Sequence, residues 1–196
     1  MEDRAEIMAW RRSERTRLLE ARLRMPVADK QQASARIIEN LTHYCHEARL
    51  PQAGTVVSGY WPLRGEPDMR PWLTQLHEAG WRIVLPVVAG KGKPLVFRRW
   101  SPGCAMEKGI WNIPIPADTT EFTPRLLLAP VVGFDARGYR LGYGGGYFDR
   151  TLALLRSLQV EFHAIGVGYA DAQLPTIYPL PHDIALNTVI TEGPRG

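Results

Sequence analysis

Between Arg140 and Arg150 the chain reads RLGYGGGYFDR, with Gly142, Gly144, Gly145 and Gly146 falling within five positions. A backbone so bare of side chains can adopt positive φ and turn successive N–H groups toward one anion. Before it, residues 126–134 (LLLAPVVGF) read as a buried strand. After it, Leu152, Leu154, Leu155 and Leu158 read as the apolar face of a helix. Strand, glycine loop and helix in that order commit the chain to an α/β architecture and put a phosphate site at the helix start. Arg140, Tyr143, Tyr147 and Asp149 flank the loop, and Asp149 stands where it would hold a metal ion accompanying phosphates. The competing reading is a ligand-free surface turn, which would not require all of these flanking groups. Two familiar phosphate loops match poorly. No lysine follows the glycines, as a Walker A loop requires, and the glycines lie roughly eight residues past the strand end rather than directly after it, as a dinucleotide fingerprint demands.

The rest of the chain extends this pattern. The first fifty residues read as helical: one helix carries Arg11, Arg15, Leu18, Leu19, Arg22 and Leu23. Pro26 separates it from a second, with Ile37, Ile38, Leu41 and Cys45 at helical spacing and Ser34 as a candidate N-cap. Thr55–Trp61 is a strand ended by Pro62 and a turn at Gly65. Met69, Trp72, Leu73 and Leu76 mark a helix stopped by Gly80, and Trp81–Val88 is the next strand. Leu95–Trp100 is a short strand, a candidate for antiparallel pairing, and residues 101–124 read as an ordered loop. His163–Tyr169 and Thr188–Thr191 supply late strands. Strand–helix–strand units imply parallel pairing. The expectation is a single three-layer α/β/α domain over residues 1–196, with a mostly parallel, Rossmann-like sheet and residues 1–50 as its helical N-terminal part.

Composition narrows the function. A net charge of +4 with no lysine-rich tract argues against nucleic acid as a partner. Two cysteines, Cys45 and Cys104, make no disulfide framework. The N-terminus lacks a signal-peptide core, and no apolar run is long enough for a membrane, so a cytoplasmic protein is expected. His43, Cys45 and His46 do not form a metal site, because on a helix positions 43 and 45 diverge.

Taken whole, residues 130–150, PVVGFDARGYRLGYGGGYFDR, closely resemble the signature of 5-formyltetrahydrofolate cyclo-ligases, also called 5,10-methenyltetrahydrofolate synthetases. The resemblance runs over nearly the whole chain. Arg11, Arg15, Arg22 and Ser34 match that family's basic opening helix, and Tyr60-Trp61-Pro62-Leu63-x-Gly65-Glu66 is similar to its segment after the first strand. Trp111-Asn112-Ile113-Pro114-x-Pro116 resembles a middle motif found in one branch, and Pro181-His182-Asp183-Ile184 the closing motif. Arg11 stands where many members carry lysine, and Phe148 where many carry a second tyrosine.

The resemblance implies an ATP- and Mg²⁺-dependent enzyme that cyclises 5-formyltetrahydrofolate to 5,10-methenyltetrahydrofolate, releasing ADP and phosphate through a phosphorylated formyl oxygen. It implies a monomer and no covalent enzyme nucleophile. It places ATP on Arg11, Arg15, Arg140, Leu141, Gly142, Tyr143, Gly144, Gly145, Gly146, Tyr147 and Phe148. Folate falls on Trp61, Glu66, Trp111, Tyr143, Gly144, Gly145, Gly146 and Tyr147, and Mg²⁺ on Asp149 and Asp183. Read from the residues alone, a solvated basic face is favoured for Arg11 and Arg15 and core for Trp61, while the competing readings are a helix cap for Asp149, a turn acid for Asp183 and a solvated turn acid for Glu66. A nucleotide-dependent enzyme acting on another amide, or a non-catalytic folate- or nucleotide-binding paralogue, is the alternative reading.

Overall fold

The computed structural model describes residues 3–52 and 54–194. In chain order it contains α1 (Arg4–Arg24), α2 (Val27–Glu47), β1 (Val56–Ser58), α3 (Arg70–Glu78), β2 (Arg82–Val88), β3 (Leu95–Trp100), β4 (Met106–Lys108), β5 (Pro114–Pro116), β6 (Leu126–Pro130), β7 (Gly133–Asp135), β8 (Arg140–Leu141), α4 (Tyr147–Ser157), β9 (His163–Val167), β10 (Gln173–Leu174) and β11 (Thr188–Ile190). Six strands form the main sheet in the order β11-β9-β6-β1-β2-β3, parallel throughout except for the β2–β3 pair. The three-layer, mostly parallel α/β domain is therefore the observed architecture.

Alternation along the strands explains the layers. On one face, Val57, Ile83, Leu85, Leu126, Leu128, Ile165 and Val167 pack with Ile37, Leu41 and Cys45 of α2 and with Trp72 and Leu73 of α3. On the other, Val84, Leu127, Ala129 and Ala164 pack with Leu18 of α1 and with Leu152 and Leu155 of α4. Strand side chains point to opposite faces in turn, so runs such as Leu126–Ala129 feed both cores at once. The α2 stripe Ala33, Ile37, Leu41, Cys45 repeats every four residues, as a helix facing a sheet requires.

Several expectations give way. Ser34 is no cap: α2 begins at Val27, and the Ser34 hydroxyl sits mid-helix, donating to the Lys30 carbonyl and accepting from the Asp68 N–H. The apolar run 126–134 is two strands in different sheets: the Val131 N–H still donates to the Val167 carbonyl of β9, but the Val132 N–H donates to the Leu141 carbonyl of β8, and β7 pairs with β8 and β10. Residues 101–124 contain the β4–β5 hairpin. On α4 the buried residues are Thr151, Leu152 and Leu155, whereas Leu154 and Leu158 face solvent.

The C-terminal ends of β1, β6 and β9 open onto one edge of the sheet. From β1 the chain moves to β2 on one side, and β6 lies on the other, so the order reverses there and leaves a crevice. Residues 59–69 follow β1, and the β7–β8 hairpin with the glycine loop follows β6. The hairpin turn is held by Asp135, whose side chain is fully buried and accepts from the N–H groups of Arg137, Tyr139 and Ile177. Gly138 has φ +80, and a Cβ there would lie 2.7 Å from the Leu186 carbonyl oxygen, so the turn excludes other residues.

Candidate active site

Helix α1 carries its basic residues on a stripe. Arg11, Arg15, Leu18 and Arg22 fall at i, i+4, i+7 and i+11, one face of a helix, and Arg11, Leu18 and Arg22 are buried. That face lies over the crevice, and each arginine meets a different segment.

Arg11 donates through Nε to the Ile177 carbonyl (2.9 Å) and through Nη2 to the Tyr178 carbonyl (2.8 Å) and to Asp183 Oδ2 (2.5 Å). Asp183, expected beside a metal ion, is thus engaged with Arg11, and its Oδ2 also accepts from the Leu180 N–H. Burial raises the Asp183 pKa, but the Arg11 and Leu180 hydrogen bonds outweigh it and leave the carboxyl below its ordinary value. Two side chains expected to face ligand are here a closed ion pair that ties α1 to the 177–183 segment.

Arg15 differs. Its Nε donates to the Gly142 carbonyl (2.6 Å), and its guanidinium carbon lies 3.5 Å from where a Gly144 Cβ would stand. No carboxylate pairs with it among the described residues. Burial, then the neighbouring charges of Arg11 and Arg12, lower its pKa. This is an uncompensated cation held against the glycine loop, an arrangement that favours an anion.

The loop itself is built for close approach. Gly144 (φ +92) and Gly146 (φ +64) occupy the left-handed region, and a Cβ on Gly145 would fall 2.6 Å from the Tyr147 ring. Gly146 precedes the first residue of α4. Among the described residues, no backbone carbonyl accepts from the N–H groups of Gly144, Gly145 or Gly146. Free N–H groups at a helix N-terminus beside an unpaired arginine are the physical content of an anion cradle. Leu141 is core rather than cradle: its side chain is buried, and its carbonyl takes the Val132 N–H. Arg140 is buried too, donating to the Ile184 carbonyl, pairing with Asp149 Oδ1 at 3.1 Å and lying over the Phe148 ring. Its charge is spent on Asp149 rather than left open.

Asp149 sits in the first turn of α4 and is not the cap, a position held by Gly146. The Ile184 N–H and Arg140 both contact its Oδ1, leaving Oδ2 without a donor among the described residues. Among those residues no group of three or more His, Cys, Asp or Glu could hold a metal. A single free carboxylate oxygen supplemented by phosphate oxygens is a donor set that suits Mg²⁺.

Aromatic residues stand around the glycine loop. Trp111 is 66% exposed at the tip of the β4–β5 hairpin, with its ring edge-on to Tyr147 at 5.8 Å. Trp111 and Asn112 both have φ of 58°. Two consecutive non-glycine residues in the left-handed region carry strain that concentrates at ligand-binding positions. Tyr143 is 42% exposed. Trp61 is half-buried, packed against the core between the sheet and α2 and α3, with Arg70 stacked on it at 4.9 Å. Glu66 is sealed behind Tyr143, whose hydroxyl donates to Glu66 Oε1 at 2.8 Å.

The sequence profile of the 5-formyltetrahydrofolate cyclo-ligase family matches residues 7–192. The chain belongs to this family. A 5-formyltetrahydrofolate cyclo-ligase of Mycolicibacterium smegmatis is 34% identical over 148 residues, which is 71% of this chain and 74% of that protein. The solved 5,10-methenyltetrahydrofolate synthetase of Aquifex aeolicus superposes with a TM-score of 0.75 at 26% identity, covering 93% of this chain and 89% of that one. The corresponding synthetase structure from Mycoplasma pneumoniae has a TM-score of 0.72 at 21% identity and shares the fold.

Membership in the cyclo-ligase family accounts for the order of the motifs, and the geometry sorts their residues. Arg15, Tyr147 and, through Tyr147, Trp111 gather at the Gly142–Gly146 loop with Tyr143 and Asp149 at its two ends, whereas Arg11, Arg140, Leu141, Glu66 and Asp183 are engaged in buried contacts. Sequence reasoning assigned no role to Arg22, which is buried and contacts Arg64, Val131 and Tyr143. Its signal was available: it is the fourth member of the α1 stripe. No helix among the described residues is long and apolar enough to cross a membrane.

Proposed function

We propose that this protein converts 5-formyltetrahydrofolate to 5,10-methenyltetrahydrofolate with consumption of ATP in the presence of Mg²⁺, releasing ADP and phosphate. The observation that carries this reading is Arg15, held over the glycine loop without a carboxylate partner, beside the N–H groups of Gly144, Gly145 and Gly146 that meet no carbonyl, both among the described residues. A formamide oxygen is a poor leaving group. Transfer of the terminal phosphoryl group to it makes it one, and N10 of the folate then closes the ring. Little covalent work falls to the protein, so positioning and charge neutralisation carry the catalysis. The N–H groups of Gly142, Gly144, Gly145 and Gly146 would cradle the phosphates, with Arg15 clamping them from α1. Arg140 would hold Asp149 in place, and Asp149 Oδ2 would meet the metal. Bound Mg²⁺ would neutralise charge on the phosphate oxygens. Trp111, Tyr147 and Tyr143 would form the aromatic walls for the pterin, with Trp61 on the flank.

The test is direct: purified protein with 5-formyltetrahydrofolate and MgATP, following the absorbance of methenyltetrahydrofolate. Product formation that requires all three components is expected. ATP loss without cyclisation would point to another amide substrate, and folate or nucleotide binding without turnover to a non-catalytic paralogue.

A further inference from the structure

Arg22 joins three separate segments of chain. Its Nε donates to the Arg64 carbonyl (3.0 Å), Nη1 to the Val131 carbonyl (3.3 Å) and Nη2 to the Tyr143 hydroxyl (2.6 Å). That hydroxyl in turn donates to Glu66 Oε1 (2.8 Å), while the Leu63 N–H occupies Oε2 (2.8 Å). Arg22 Nη2 and Glu66 Oε1 are 4.0 Å apart, with side chains only 5% and 2% exposed. A buried cation and a buried anion are therefore linked through the hydroxyl of a partly exposed ring. The proton inventory fixes the direction. Arginine only donates, so the tyrosine oxygen accepts from Arg22 and its single proton is directed at Glu66 Oε1, while the Leu63 N–H meets Oε2, the pattern that suits a carboxylate.

We propose that Arg22 is a positioning residue for the folate pocket: through the Tyr143 hydroxyl it fixes the aromatic wall and holds Glu66 as a carboxylate behind it. This rests on the reading of Tyr143 as a wall of that pocket. The surroundings leave Arg22 as the cation on which Glu66 depends. Tyr60 and Tyr169 give their protons to the Pro67 and Gly65 carbonyls. Asp68 is paired with Arg70, Lys30 donates to the Leu23 carbonyl, and Glu192 accepts from the Ala170 N–H. Arg64 stands on the Tyr143 ring, its guanidinium carbon 5.8 Å from the ring centroid. Burial raises the Glu66 pKa, and Arg22 is the foremost of the groups that oppose the rise, ahead of the Leu63 N–H and the Tyr143 hydroxyl.

The experiment compares Arg22→Gln, Arg22→Lys, Tyr143→Phe and Tyr143→Ala with the parent enzyme, measuring kcat and both KM values from about pH 5.5 to 8.5. Arg22→Gln should raise KM for the folate about tenfold or more and leave KM for ATP within about twofold, as loss of a charge-assisted bond implies. Its acid limb should move up by about one pH unit as Glu66 becomes easier to protonate. Arg22→Lys should restore the acid limb in part but not KM, because an ammonium cannot span three acceptors in a plane. Tyr143→Phe, which alters a half-exposed ring and keeps the fold, should reproduce both effects if Arg22→Gln fails to fold. An equal loss at every pH, or an Arg22→Gln or Tyr143→Phe profile that superimposes on the parent, overturns the inference. Unchanged folate KM in Tyr143→Ala would instead remove Tyr143 from the pocket, a distinct failure.

Discussion

Asp183→Asn separates two roles for one carboxylate. In the structure Asp183 is the counter-ion of Arg11, with side chains 9% and 7% exposed, and the pair spans 172 positions of sequence. Removing one partner of such a pair leaves a buried charge uncompensated, which costs about 3–5 kcal/mol. Arg11 would keep the Ile177 and Tyr178 carbonyls, and asparagine can still accept from the Leu180 N–H, so the low end, about 3 kcal/mol, is expected. With a urea slope of about 2 kcal/mol/M, the unfolding midpoint should fall by about 1.5 M, and Tm by roughly 6–12 °C. The double variant Arg11→Met/Asp183→Asn should recover much of the loss, since the orphaned charge is gone. The pH dependence follows the same logic. The Asp183 pKa lies below its ordinary value of 3.8, so its contribution is full above that value and lost as pH falls through the folded-state pKa. Chemical denaturation monitored by circular dichroism, with Mg²⁺ titrations of the folded variants alongside, reads all of this. A single variant destabilised by less than about 1 kcal/mol, yet with Mg²⁺ affinity down tenfold, would refute the ion-pair account and return Asp183 to the metal.

Asp149→Asn keeps an acceptor for the Ile184 N–H but removes the charge paired with buried Arg140, so it should destabilise the fold by about 3 kcal/mol; in the folded variant turnover should drop about a hundredfold or more, with a higher Mg²⁺ requirement. Turnover equal to the parent's would take Asp149 out of the site. Gly144→Val puts a branched side chain at φ +92 beside Arg15 and should weaken ATP binding by about tenfold or more in calorimetry; unaltered affinity would move the nucleotide elsewhere. Trp111→Ala, at an exposed position, should shift stability by less than about 0.5 kcal/mol while raising KM for the folate, and a normal KM would show that the hairpin tip does not wall the pocket. Gly133→Ala would press a methyl to within 2.6 Å of Leu18 Cδ1 and should destabilise the fold by about 1–3 kcal/mol without changing nucleotide affinity.

These variants divide along the line between what local sequence can specify and what it cannot. The left-handed glycine loop before α4 was legible because its requirements are local. Positive φ at Gly144 and Gly146, and the ring of Tyr147 over Gly145, constrain neighbours within a few positions. The parallel sheet was legible for a similar reason, since runs such as Leu126–Ala129 must bury both faces. The break at Val131 and Val132 was not, because both are buried and apolar like the strand before them, and only the departure of β7 toward β8 and β10 separates the two. The direction in which the arginines point was equally hidden. Helical spacing puts Arg11, Arg15 and Arg22 on one face but cannot say which carry a partner across the crevice. Arg11 finds Asp183, Arg22 finds Tyr143 and Glu66, and Arg15 finds no carboxylate among the described residues. A basic stripe therefore resolves into two scaffold charges and one poised for an anion, a distinction set by contacts more than forty positions apart that no window of sequence contains.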